Sequence, residues 1–164
     1  MKLFSLGAPC AYVAAMEDDE FANLYLRLTE AHRGSIIRTI RGWKSRTVDS
    51  FFDEISAALQ FPYYFGENTA AFDECITDLD WIEGDAYLLM VSRADDFMAE
   101  ASSYQFNGFM ELFAKANVDW LTPNQYIPRT RQPTPFHLLF QCVRLNESPI
   151  IQRLRDGGIA FEIL

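Results

Sequence analysis

Residues 61–76 decide how this chain should be interpreted; they read Phe61-Pro62-Tyr63-Tyr64-Phe65-Gly66-Glu67-Asn68-Thr69-Ala70-Ala71-Phe72-Asp73-Glu74-Cys75-Ile76. Proline has a fixed φ and disfavours a helical conformation for the residue before it, so a preceding helix should end near Leu59. Gly66 can adopt a positive φ at little cost, and Asn68 is a favourable N-cap for a new helix. The segment therefore predicts an aromatic Pro/Gly loop that leads into a helix.

The predicted helix has an apolar face and an acidic face. The apolar residues recur at i, i+3, i+4 and i+7, the spacing of a buried stripe: Phe72, Cys75, Ile76 and Leu79. At about 100° per residue, the opposite face carries Ala70, Asp73, Glu74 and Thr77, with Asp78 at its flank. Tyr63 and Tyr64 precede this face, and tyrosine offers contact area and a hydroxyl at low entropic cost. The combination favours a surface that binds another protein. The alternative is a solvated helix face beside aromatic core residues.

The remainder of the chain alternates between strand and helix patterns. Strands are expected at residues 11–16, 35–41, 86–91, 136–143 and 159–164. Helices are expected at 18–31, 47–59, 106–117 and 148–155, with a long Pro-rich loop at 120–135 that contains Arg129 and Arg131. This order predicts the α/β class with a small, mainly parallel sheet covered by helices. Three strands form the expected sheet, with a fourth and a fifth if the terminal segments join it. The chain is expected to form one domain, 1–164, with its core at about 35–143.

Composition restricts the classes of partner. A formal net charge of −9 over 164 residues argues against direct nucleic-acid binding, which needs clustered Lys and Arg. The same charge suits a basic protein partner, although it could also serve solubility alone. No apolar run approaches the length of a membrane span, and the first nine residues do not form a convincing signal peptide, so a cytoplasmic location is expected. Cys10, Cys75 and Cys142 contain no CxxC pair, and Cys75 and Cys142 are interpreted as small buried hydrophobic residues.

Catalytic constellations are missing from the sequence. His32 and His137 are the only histidines, one at a predicted helix end and one in an apolar strand. No phosphate-binding Gly-rich loop, nucleophile elbow or metal-ligand spacing is present. Asp73 and Glu74 are adjacent on one helix, which is a poor arrangement for acid–base catalysis across a cleft. We expect no enzymatic activity, no metal and no cofactor.

The loop and the acidic helix resemble the barstar-type ribonuclease inhibitors. Their corresponding segment also has a Pro, paired aromatic residues, Gly, Glu and Asn, followed by a helix with acidic residues and a Cys. The resemblance extends over most of Ser35 to Val143. It implies a three-stranded parallel sheet covered by helices, and a protein that blocks the active site of a secreted, basic ribonuclease inside the producing cell. The implied partner is a basic ribonuclease or a related nuclease toxin.

The resemblance also implies roles for individual residues. Tyr64 matches the family's loop tyrosine that contacts the nuclease, and Gly66 and Asn68 match its loop and helix cap. Glu74 matches the helical aspartate that enters the phosphate-binding site of the nuclease. Trp81 matches the tryptophan after the helix, with two extra residues before it.

Two positions depart from the family pattern. Ala70 stands where the prototype has a second contact aspartate, and Asp73 stands where it has a contact tryptophan. These departures leave open an alternative function, a protein-interaction module on the same scaffold that no longer binds a nuclease. The candidate partner-binding residues are Tyr63, Tyr64, Gly66, Asn68, Asp73, Glu74, Thr77, Asp78 and Trp81.

Overall fold

A computed structural model describes residues 2–7, 9–122 and 131–164 of the protein. Its strands are β1 (Ala11–Ala15), β2 (Ile36–Arg41), β3 (Tyr87–Ser92), β4 (Phe136–Cys142) and β5 (Phe161–Ile163). They form a sheet in the order β2-β3-β4-β1-β5, and every neighbouring pair is parallel. The predicted α/β class is confirmed, and both terminal strands, β1 and β5, join the sheet.

In the described part of the chain, five α-helices cover the two faces of this sheet unequally. They are α1 (Asp18–Ala31), α2 (Val48–Leu59), α3 (Thr69–Asp78), α4 (Ser103–Leu121) and α5 (Pro149–Asp156). Helix α1 packs on one face, and α2 to α5 pack on the other. The chain crosses the sheet in one direction from β1 to β2 and returns in the opposite direction afterwards. Right-handed connections therefore place α1 on the face opposite the other helices.

The predicted starts of α1, α2, α3 and α5 and the predicted buried strands are confirmed, whereas α4 begins at Ser103, three residues before the predicted start at 106. The Thr47 side chain caps α2 by accepting a hydrogen bond from the backbone N–H of Ser50 at 3.1 Å. Strands β3 and β4 are buried at every position, as continuous apolar runs predict for central parallel strands. His137 is fully buried within β4, and its ring nitrogens lie 3.1 Å and 2.9 Å from the carbonyl oxygens of Pro9 and Ser5. The three cysteines are free and buried, as expected for Cys75 and Cys142.

The end of α4 differs from the prediction. The helix continues to Leu121, so the predicted loop at 120–135 begins two residues later, at Thr122. Trp120 is buried, and its indole N–H donates to the carbonyl oxygen of Ile76 at 3.0 Å, which draws this residue into the helix and the core. Pro123, Pro128 and Arg129 of the predicted loop lie outside the described residues.

Candidate protein-binding site

Aromatic residues that pack against the core hold the loop between α2 and α3 in place. The rings of Phe61 and Phe65 lie 4.9 Å apart, and Phe65 also contacts Phe52 of α2 at 5.5 Å. Trp81 packs against Phe61 at 6.0 Å, and its indole N–H donates to the carbonyl oxygen of Leu59 at 2.9 Å. Edge-to-face ring contacts and a satisfied indole hold the loop in one position. Trp81 is therefore partly buried and supports the loop.

The two loop tyrosines point in the opposite direction. The side chain of Tyr63 is 101% exposed and that of Tyr64 is 69% exposed, with ring centroids 5.6 Å apart. The alternative that these two aromatic residues belong to the core is wrong. The partly buried Phe61 and Phe65 hold the loop against the core. Tyr63 and Tyr64, which lie between them, present two large amphipathic rings to solvent.

Asn68 connects the loop to α3, as predicted. Its Oδ1 accepts a hydrogen bond from the backbone N–H of Ala71 at 2.9 Å, and its Nδ2 donates to the carbonyl oxygen of Gly66 at 3.1 Å. The expected positive φ at Gly66 is wrong, because the positive φ (47°) belongs to Glu67. A Cβ atom at Gly66 would lie 2.9 Å from Asn68 Nδ2, so a larger residue there would have to displace the end of the capping side chain.

Side chains from the end of α4 and the following segment satisfy the C-terminal carbonyls of α3. Besides the bond from Trp120 to Ile76, the Arg131 guanidinium donates to the carbonyl oxygen of Thr77 at 2.6 Å. Arg131 also stacks on the Trp120 ring at 3.6 Å. The helix ends at Asp78, and Leu79 takes a left-handed conformation (φ 47°) while its side chain stays buried. These contacts fix the direction in which α3 presents its outer face.

Asp73 on that outer face is paired within the protein. Lys115 of α4 donates to both carboxylate oxygens of Asp73, at 2.8 Å and 3.1 Å, and lies 3.2 Å from Asp119 Oδ2. The hydrogen bond to Asp73 is the main cause that raises the pKa of Lys115, so the amine remains charged. The sequence prediction treated Asp73 as an available carboxylate. In the structure this carboxylate is half-buried and forms an ion pair with Lys115.

Glu74, the next residue, is exposed and carries an available carboxylate. Among the described residues, that carboxylate makes no ion pair or side-chain hydrogen bond. Ala70 is exposed, one turn earlier on the same helix. The partly buried Thr77 donates its hydroxyl to the backbone oxygens of Asp73 at 2.8 Å and Glu74 at 3.1 Å, which leaves its oxygen lone pairs available.

Asp78 belongs to a separate acidic recess at the end of α3. A cavity of about 590 Å³ opens beside the amino-terminal ends of β2, β3 and β4, and its lining includes Asp78, Asp80, Asp85, Tyr87 and Arg131. Burial raises the pKa of Asp78, and the neighbouring Asp80 raises it further, while Arg131 lowers it. Asp78 is partly buried, and the Arg131 guanidinium lines the same cavity.

Five predicted site residues are exposed, and four are partly buried. The exposed residues are Tyr63, Tyr64, Gly66, Asn68 and Glu74. The partly buried residues are Asp73, Thr77, Asp78 and Trp81. The sequence prediction missed Lys115, which lies 42 positions from Asp73 and on a different helix. No local pattern connects two residues at that separation.

A family comparison matches the segment that contains this site. The family model described as Barstar (barnase inhibitor) matches residues 36–141, which is more than half of the chain. The chain belongs to the barstar family. The match runs from β2 into β4 and includes the loop and α3, whereas β1, α1, α5 and β5 lie outside it.

Other comparisons give weaker likenesses. A chain in a structure of Drosophila ORC bound to DNA has a TM-score of 0.45 and 13% identity, covering 92% of this chain and 77% of that chain. A chain in a structure of Drosophila ORC bound to AT-rich DNA and Cdc6 has a TM-score of 0.45 and 14% identity, covering 92% of this chain and 47% of that chain. Likenesses at these scores are too weak to extend the family assignment. A search of curated proteins gave no match.

Residues 2–7, 9–122 and 131–164 contain neither a candidate membrane-spanning helix nor a candidate metal site. None of the helices in this part of the chain has an apolar stretch that would cross a bilayer. No group of three or more His, Cys, Asp or Glu side chains in these ranges is arranged to hold a metal ion.

Proposed function

We propose that this barstar-family protein inhibits a basic, barnase-like ribonuclease or a related nuclease toxin by covering its active site with the 60–68 loop and α3. The observation that carries the proposal is that Glu74, Tyr63 and Tyr64 are exposed on two elements joined by the Asn68 cap, while their neighbours anchor those elements. An anchored surface of this kind loses little conformational freedom on binding.

The chemistry of a nuclease active site suits this surface. Such sites concentrate Arg, Lys and His to hold phosphates, and the Glu74 carboxylate can take the place of a phosphate through charge-assisted hydrogen bonds. The tyrosine rings would cover the rim of the site and exclude water, with their hydroxyls as additional hydrogen-bonding groups. The net charge of −9 would accelerate encounter with a basic partner.

Titration of the protein into a barnase-type ribonuclease, with RNA cleavage as the readout, tests the proposal. We expect stoichiometric inhibition by the wild type. The Glu74→Gln variant should bind about tenfold to a hundredfold more weakly, because a hydrogen bond to a charged group contributes roughly 1.5–3 kcal/mol.

Glu30→Gln is the matched control, because it removes the same charge from the exposed side of α1 on the opposite face of the sheet. It should inhibit as the wild type does. Equal inhibition by Glu74→Gln would contradict the placement of the site, and no inhibition by the wild type would contradict the proposed function for this class of nuclease.

A second candidate function is an interaction module whose partner is not a nuclease. It is favoured by Ala70 and by the Lys115–Asp73 pair, which leave Glu74 as the acidic contact at the centre of α3. Under this alternative, the wild-type protein fails to inhibit the ribonuclease even in molar excess, and Glu74→Gln changes nothing in that assay.

A further inference from the structure

Lys115 introduces a positive charge into the acidic surface. It is one of three lysines in the chain, together with Lys2 and Lys44. Its side chain is 50% exposed, and its ammonium group reaches from α4 to Asp73 on α3. The pairing with Asp73 and Asp119 is therefore at the surface of the protein, accessible to a partner that covers α3.

The position of this ammonium group is the position that a partner's cation would take. Its Nζ lies 2.8 Å and 3.1 Å from the two carboxylate oxygens of Asp73, the distances of charge-assisted hydrogen bonds. A partner's arginine could bind Asp73 only by displacing Lys115, and its charge would be repelled by Lys115 while both are present. Glu74 has no such competitor among the described residues.

We propose that Lys115 determines which nucleases this surface accepts, because it occupies the cation position on Asp73 and leaves Glu74 as the carboxylate for the partner. The partner places one active-site cation against Glu74, and any further cation that it places near α4 is repelled by Lys115, which weakens the complex. Nucleases with two closely spaced cations in this region are disfavoured by like-charge repulsion, a means of excluding wrong partners. This inference rests on the proposed function.

The test compares Lys115→Met with the wild type in binding and inhibition of the same barnase-type ribonuclease. Methionine keeps the apolar stem and removes the charge. Exposed ion pairs contribute little to stability, so the variant should fold normally, which its unfolding midpoint would verify. We expect about threefold to tenfold tighter binding, mainly through faster association, because one like charge is removed from the interface. The gain should disappear at about 1 M salt, where the screening length falls to about 3 Å.

Two further variants separate a local effect from a change in net charge. Lys2 pairs with Glu162 and belongs to a short 3-10 helix that packs on the α1 face, so Lys2→Met makes the same change of charge away from α3. It should change the dissociation constant less than about twofold, since exposed charges beyond the Debye length are screened. The double variant Asp73→Asn/Lys115→Met restores the wild-type charge at the pair and should return binding to within about twofold of the wild type.

The outcomes distinguish this inference from the proposed function. Suppose that the wild type inhibits the nuclease and that Lys115→Met binds it no more tightly, or more weakly. This result would overturn the inference and leave the proposed function intact. A loss would show that Lys115 itself contacts an acceptor on the partner. Inhibition by Lys115→Met but not by the wild type would support the inference, with Lys115 excluding this nuclease. No inhibition by either protein would overturn both.

Discussion

The two faces of the sheet are packed differently, and the candidate binding surface lies on the face with the larger core. On that face, Phe51 of α2 is fully buried at the centre of a phenylalanine cluster. Its ring lies 5.2–6.2 Å from five others, those of Phe52, Phe72, Phe97, Phe109 and Phe113. Phe72 belongs to α3, so the outer face of that helix is fixed by rings from α2 and α4.

The opposite face has a smaller core and lies partly outside the family match. Helix α1 contributes Phe21 and Leu28 to a core that also includes Leu3 of the N-terminal segment. Near one end of α1, Asp18 pairs with Arg93, and Arg93 also lies over the Trp43 ring at 5.1 Å. Helix α1 therefore only covers its face of the sheet, whereas the aromatic face both stabilises the fold and sets the geometry of the loop and α3.

The largest expected effect is on the aromatic face. Phe51→Ala removes a fully buried ring that five others contact, so the free energy of unfolding should fall by about 4 kcal/mol. Urea denaturation followed by fluorescence and circular dichroism measures this change. A loss below about 2 kcal/mol would show that the cluster collapses around the gap and that the two faces are more alike than their packing indicates.

A smaller loss is expected on the α1 face. Phe21 is 5% exposed at the edge of the smaller core, so Phe21→Ala should cost about 3 kcal/mol, the lower end for such truncations. Binding of the ribonuclease under native conditions should remain at the wild-type level, because α1 does not support the loop. If fully folded Phe21→Ala bound the ribonuclease more weakly than the wild type, the α1 face would also support the binding surface, contrary to the distinction between the two faces.

The Asn68 cap should contribute about 1 kcal/mol. Asn68→Ala removes the acceptor for the Ala71 N–H and the donor to the Gly66 oxygen, so both stability and ribonuclease binding should decrease. Thermal unfolding and the inhibition titration report the two effects. Asn23→Ala, at an exposed position within α1, is the control and should leave both quantities unchanged or slightly raise stability.

The smallest effect is expected at Asp78 and should depend on pH. The pKa of this carboxyl group is raised in the folded protein above its ordinary value of 3.8, so the folded state binds more protons than the unfolded state as the pH rises through this range. The ionised group therefore opposes folding above its folded pKa. Asp78→Asn should be slightly more stable than the wild type at pH 7, and the difference should vanish below about pH 4.

Denaturant midpoints at the two pH values measure the Asp78 effect. Asp53→Asn, at an exposed position on α2, serves as the control and should show no gain at neutral pH. A wild-type protein that is more stable than Asp78→Asn at pH 7 would mean that the contact with Arg131 outweighs burial at this carboxyl group.

Helix ends and buried strands that depend on neighbouring residues could be predicted from the sequence. Pro62 correctly indicated that α2 ends at Leu59, and Asn68 correctly marked the start of α3. The apolar runs of β3 and β4 identified the central strands because burial on both faces requires such runs. The loop was predicted less well, since Phe61 and Phe65 could not be separated from Tyr63 and Tyr64 before their packing was known.

Local sequence features were enough to specify the α/β class, the Thr47 and Asn68 caps, the buried stripes and the acidic, aromatic character of the segment around α3. Each of these depends on the spacing of neighbouring residues or on the intrinsic preference of one residue. Tertiary packing was needed to turn Trp81 inward, to pair Lys115 with Asp73 and to leave Glu74 exposed. Those outcomes depend on contacts between residues that are distant in the chain, and such contacts exist only after the helices have packed together.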